Sequence, residues 1–149
     1  MKYTLADGMG KKMTRKEIEQ FLSQPNMLRL AVIDERDGQP VVHPVWYVYE
    51  KEKFYVATGR GGVKARSIDK NMNVYFTVDI DGRPPRGVRG KAVARVIDDP
   101  DYATEVTKKC VMKYLGGRLQ SKSAKMILAA GPSSVVLEIT PRYMASWKY

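Results

Sequence analysis

Three short runs of β-branched and aromatic residues, joined by turns rather than by helix-length connections, constrain this chain most. Leu28–Ile33 alternates Leu28, Leu30 and Val32 with Arg29, Ala31 and Ile33, the period-two pattern of a strand. Val41–Tyr49 is dense in valine and aromatics, which favour a pleated surface, and Phe54–Thr58 continues the pattern. Asp37-Gly38 supplies a hairpin turn and Glu50-Lys51-Glu52-Lys53 a charged one. Connections this short join antiparallel neighbours, so the first half is predicted to hold a three-stranded meander. Pro44 inside the second run predicts an edge or a bulge there.

Helices frame these strands. Residues 1–13 are polar and glycine-bearing and read as a flexible arm. Thr14-Arg15-Lys16-Glu17 fits a capping box, and Ile18, Phe21 and Leu22 then fall on one face until Pro25-Asn26 stops the helix. A short helix is predicted from Val63 to about Lys70, followed by strands at Val74–Val78 and Gly87–Ile97, the latter weakened at Gly90. Asp99 caps a helix that Pro100 begins. Residues 101–130 read as one or two helices divided at Gly116-Gly117, the second running from about Ser121 to Ala130. Ser134–Thr140 is a sixth strand, and Tyr143–Trp147 a short final one. The expected architecture is mainly β (α+β): a small barrel of six to seven antiparallel strands with flanking helices, formed by one domain over 14–149.

A chain of 149 residues is long enough for one real core, burying roughly 70% of its unfolded surface. No apolar run approaches the about 18 residues a membrane helix needs, and the first residues lack a signal-peptide core, so a cytoplasmic protein without a membrane partner is expected. One cysteine, Cys110, rules out an internal disulfide, and one histidine, His43, argues against a histidine metal centre. Cys110 falls on the apolar side of its helix and reads as core. Asp98 and Asp99 are adjacent and read as a cap rather than a catalytic pair. Twenty-six Lys plus Arg against sixteen Asp plus Glu give a net charge of +10, which suits an anionic partner or simply a soluble surface.

Thr58-Gly59-Arg60-Gly61-Gly62-Val63-Lys64-Ala65-Arg66 leaves a strand and enters a helix. Glycines allow close backbone approach, the free N–H groups of a helix start attract an anion, and Lys64 and Arg66 add charge. The segment lacks the Gly-Lys-Ser/Thr ending of a Walker loop, and its antiparallel setting does not fit a dinucleotide fingerprint. Phosphate binding and a plain flexible turn both remain open. Val42-His43-Pro44-Val45-Trp46-Tyr47-Val48-Tyr49 suits a flat conjugated ring lying along a strand, or ordinary core and rim aromatics. His43 by itself reads as structural. Arg83, Arg86, Arg89, Lys91 and Arg95 form a basic stretch, with Arg89, Lys91 and Arg95 on one strand face. Such a face suits single-stranded nucleic acid or solvent.

Four segments in fixed order carry a family resemblance. They are Leu30-Ala31-Val32-Ile33 with Asp37-Gly38-Gln39-Pro40; Pro44 to Tyr49; Phe54 to Gly59 through Lys64 to Ile68, Asn71 and Val74 to Asp79; and Gly90 to Pro100. Together they resemble the pyridoxamine 5'-phosphate oxidase-related family of flavin-binding split barrels, over about residues 14–147. The resemblance implies an oxidoreductase that moves a hydride or electrons to or from a small-molecule substrate through bound FMN, or through deazaflavin in a sister branch. It implies a homodimer with cofactor sites at the subunit interface. Lys64 would bind the cofactor phosphate with Arg66 nearby, Thr58 and Gly59 would border the phosphate and ribityl chain, and Val45, Trp46 and Tyr47 would lie along the ring system. Trp147 would reach the site at the interface. The resemblance names no catalytic acid or base, and it disfavours nucleic acid. The sequence departs from the oxidase itself, placing Val45 and Tyr49 near its phosphate-binding arginine and lysine. That departure keeps a deazaflavin reductase open, and the charge keeps open a non-enzymatic barrel binding single-stranded nucleic acid.

Overall fold

The computed structural model describes every residue except Asp7 and Met9. In chain order the elements are β1 (Lys2–Leu5), α1 (Arg15–Leu22), β2 (Leu28–Ile33), β3 (Pro40–Val45), β4 (Val48–Glu50) and β5 (Lys53–Gly59). Then come α2 (Val63–Lys70), β6 (Asn73–Ile80), β7 (Arg86–Ile97), α3 (Pro100–Tyr114) and α4 (Lys122–Ala129). A 3-10 turn at Gly131–Ser133 leads into β8 (Ser134–Pro141) and β9 (Tyr143–Lys148).

One sheet of nine strands results, in the order β3-β2-β6-β7-β8-β5-β4, with β9 pairing β7 and β1. Every pairing is antiparallel except β1 with β9. The two ends of that order, β3 and β4, are separated only by Trp46 and Tyr47. A sheet whose outermost strands are consecutive in sequence must curl until its ends meet, and the result is a split barrel. Among the described residues no helix is long and apolar enough to cross a membrane.

Two details differ from the sequence reading. The arm expected over residues 1–13 contains β1, which pairs with β9 from Lys2↔Tyr143 to Leu5↔Ser146 and is continued by an Ala6 N–H bond to the Ser146 carbonyl at 3.0 Å. The single strand expected over Val41–Tyr49 is two, because the chain turns at Trp46-Tyr47 where the sheet closes. These changes raise the strand count above six to seven and leave the antiparallel barrel intact.

The core follows the period-two pattern. Leu28, Leu30 and Val32 of β2 point inward and pack with Phe76, Val78, Leu137 and Ile139. Burying each such side chain contributes about 1.5–3 kcal/mol. Phe54 is the hub, with the rings of Tyr47, Tyr49 and Phe76 at 5.3, 4.9 and 4.9 Å. Gly90 serves a close crossing: a Cβ there would stand 2.3 Å from the Tyr143 carbonyl oxygen and 3.1 Å from the Phe76 ring. Helix α1 opens on its capping box, the Glu17 N–H donating to Thr14 Oγ1 at 3.2 Å and the Thr14 N–H to Glu17 Oε2 at 2.8 Å. Helix α3 opens on Asp99 with Pro100 in its first turn, and lays Ala103, Val106 and Cys110 against Val136, Trp46 and Val48.

Candidate functional site

The segment from Thr58 to Arg66 turns sharply because of its glycines. Gly61 has φ +71°, a left-handed conformation that favours glycine, and the Gly62 N–H closes the turn on the Gly59 carbonyl at 3.1 Å. The Arg66 guanidinium donates to the Gly61 carbonyl and, through Nε, to Glu35 at 3.0 Å. Arg66 therefore braces the loop from within and ties it to the β2–β3 hairpin. Arg60 is paired with Asp98 at 2.9 Å.

The start of α2 differs from the other helix starts. In α1, α3 and α4 a side chain caps the first turn: Thr14, Asp99 and Ser121. The N-cap of α2 is Gly62, with no side chain to accept from the first-turn N–H groups, and that turn holds no acid. It holds Lys64 instead. Free N–H groups and the positive end of the helix dipole face a cation there, an arrangement that favours an incoming anion. Lys64 is half-buried and enters none of the ion pairs among the described residues.

His43 stands on β3. The register Leu30↔His43 puts its ring on the inward side of β3, in line with Val41 and Val45. Its Nε2 is buried and has no hydrogen-bond partner. Burial pulls its pKa below the ordinary histidine value, the positive charge of Lys64 pulls it further, and Asp34 opposes both. An unpaired ammonium thus stands at an uncapped helix start, an arrangement open to an anion. Sequence reading took His43 as structural. The register with Leu30 turns the ring toward the interior.

The other expected residues distribute as follows. Val45 ends β3, whose outer edge has no strand partner among the described residues. Thr58 and Gly59 end β5, beyond the stretch Lys53–Tyr55 that β4 covers. Since β3 and β4 are consecutive, these two open edges face the same split, and the start of α2 follows at its end. Trp46 and Tyr47 are committed elsewhere. Trp46 stacks on Tyr114 with centroids 4.7 Å apart and planes 2° from parallel. Tyr47 is wholly buried and lies edge-on to Phe54 and Tyr114. Trp147 belongs to a separate cluster with Ala6 and Ala145, resting on Gly87 with the Arg89 guanidinium 5.9 Å from its ring centre. One chain does not bring Trp147 into contact with the Lys64 group.

The basic stretch divides in the same way. Arg95 is bound to Glu138 at 2.8 Å, Arg89 lies over Trp147, and Arg86 lies over Phe21. Among the described residues no group of three or more His, Cys, Asp or Glu side chains could hold a metal.

The curled antiparallel sheet, its split and its flanking helices define a split barrel. The family model described as pyridoxamine 5'-phosphate oxidase matches residues 14–148, and the chain belongs to that family. Its fold is similar to that of conserved hypothetical protein Rv2991 from Mycobacterium tuberculosis, with a TM-score of 0.80 at 24% identity, covering 97% of this chain and 89% of that one. It is also similar to an F420 reductase, with a TM-score of 0.68 at 23% identity over 85% and 94% of the two chains. The flavocytochrome Anf3 from Azotobacter vinelandii shares the fold at 15% identity, with a TM-score of 0.71 over 99% and 76%. No curated protein matches the chain.

Proposed function

We propose that the protein is an FMN-dependent oxidoreductase acting on a small molecule, with the cofactor phosphate held by Lys64 and the first-turn N–H groups of α2. The single observation that carries this reading is the unpaired Lys64 at the uncapped start of α2. When bound, the flavin supplies hydride and electron transfer, and the protein supplies position and electrostatics.

The residues divide that work. Lys64 and the N–H groups of Val63, Lys64 and Ala65 neutralise the phosphate. Arg66 keeps the loop in shape through Gly61 and Glu35. Val45, Thr58 and Gly59 present backbone to the ring and its side chain. No acid or base is assigned to the substrate. The site is completed by a second copy of the chain, which brings Trp147 to the split that one copy leaves open. The protein then works as a cytoplasmic homodimer. Val45, half-buried against the core, stands near a phosphate-binding position of the oxidase and offers no charge, so pyridoxamine phosphate is not the proposed substrate.

A second reading replaces FMN with deazaflavin. The likeness to a structure named F420 reductase supports it. Parallel titrations with the two cofactors, followed by fluorescence, separate the readings. Saturable binding of FMN alone supports the first, preference for deazaflavin supports the second, and binding of neither refutes both.

A further inference from the structure

Strands β2 and β6 pair only from Arg29↔Thr77 to Ala31↔Tyr75. Beyond that point β2 continues to Ile33 against β3, and the matching end of β6 at Asn73 stays with β7, so the two strands diverge. A cavity of about 640 Å³ opens between them. Val32, Val74 and Ala92 are its buried apolar lining, while Tyr75 stands at its exposed side. No carboxylate lines it, and two cations do, Lys91 and Arg142. Lys91 is exposed and enters no ion pair among the described residues. Among the described residues the Arg142 guanidinium donates only to the neutral Asn73 side chain, at 3.3 Å, and its backbone N–H donates to the Lys91 carbonyl at 2.8 Å.

We infer that this groove binds an amphipathic organic anion, an apolar ring or short chain ending in a single carboxylate or sulfonate. Its size lies in the range of small-molecule sites, which are mainly apolar with a few placed polar groups. The apolar lining disfavours a sugar-phosphate, whose hydroxyls would lose their hydrogen bonds to water. The two cations, with no acid to neutralise them, select charge at one end of the ligand. None of Val45, Thr58, Gly59 and Lys64 lines the groove, so it is separate from the proposed cofactor site.

The test uses 1-anilinonaphthalene-8-sulfonate, titrated into the native protein with FMN present. Saturable binding is expected. A double variant, Lys91→Ala with Arg142→Ala, should weaken it at least about tenfold, the loss expected for charge-assisted contacts. Uncharged N-phenyl-1-naphthylamine should bind the double variant as it binds the parent. Ala31→Trp should fill the groove and remove both dyes, while FMN affinity stays unchanged in every variant. The inference is overturned by no dye binding to the native protein, by equal affinity in the double variant, or by dye fluorescence that accompanies loss of the cooperative melt. The two cations are at the surface, so the double variant decides the matter even if Ala31→Trp fails to fold.

Discussion

The Lys113 ammonium lies 3.5 Å from the centre of the Tyr47 ring and donates to the Tyr47 carbonyl at 3.1 Å. It also donates to the Leu22 carbonyl at 2.9 Å, while the neighbouring Tyr114 hydroxyl donates to the Asn26 carbonyl at 2.7 Å. Helix α3 thereby clamps the link that closes the sheet and the connection from α1. The clamp fixes Val45 on one side of the split.

This clamp has a testable pH signature. Two carbonyls and an aromatic face favour the charged lysine, but burial prevails and pulls its pKa down to about 8. An unfolded chain keeps the ordinary value near 10.5, so between pH 8 and 10.5 the unfolded state binds the proton more tightly and folding gains from rising pH. Urea melts should show the parent gaining stability relative to Lys113→Met from pH 8 to pH 10. A relative loss over that window would mean that the carbonyls and rings outweigh burial.

Cys110 is buried, and burial pushes its thiol up to about 11. Thiolate is the reactive form, so the native protein should resist a disulfide reagent at pH 8 and be labelled fully once unfolded in urea. Rapid stoichiometric labelling of the native chain would contradict this placement.

Gly87 gives room to Trp147: a Cβ there would stand 2.5 Å from the indole ring. Gly87→Ala should destabilise the fold by about 1–3 kcal/mol through overpacking and shift the tryptophan fluorescence. A variant with the parent's melt and emission would show that the ring is not seated on β7.

The strand pattern and the helix starts were legible because each is written locally. Thr14 with Glu17, Asp99 with Pro100, and the alternation of Leu28, Leu30 and Val32 needed no distant partner. β1 was not legible because its four residues become a strand only against β9, at the other end of the chain. The break at Trp46-Tyr47 was hidden because apolar residues run continuously across it, and only the meeting of the sheet's ends shows the turn. Lys64 was singled out by the glycines before it and by its charge. Its isolation, and the orphaned Nε2 of His43, depend on what does not stand nearby, which local sequence does not encode. The groove between β2 and β6 was equally silent, since each strand is locally unbroken where the pair diverges.

The most direct measurement is FMN titration of the parent and Lys64→Ala by fluorescence quenching, with thermal melts run in parallel. Saturable binding by the parent, at least about tenfold weaker in the variant with an unchanged melt of the free protein, is the predicted result. Equal FMN affinity in the two proteins would contradict the placement of the cofactor phosphate at the start of α2.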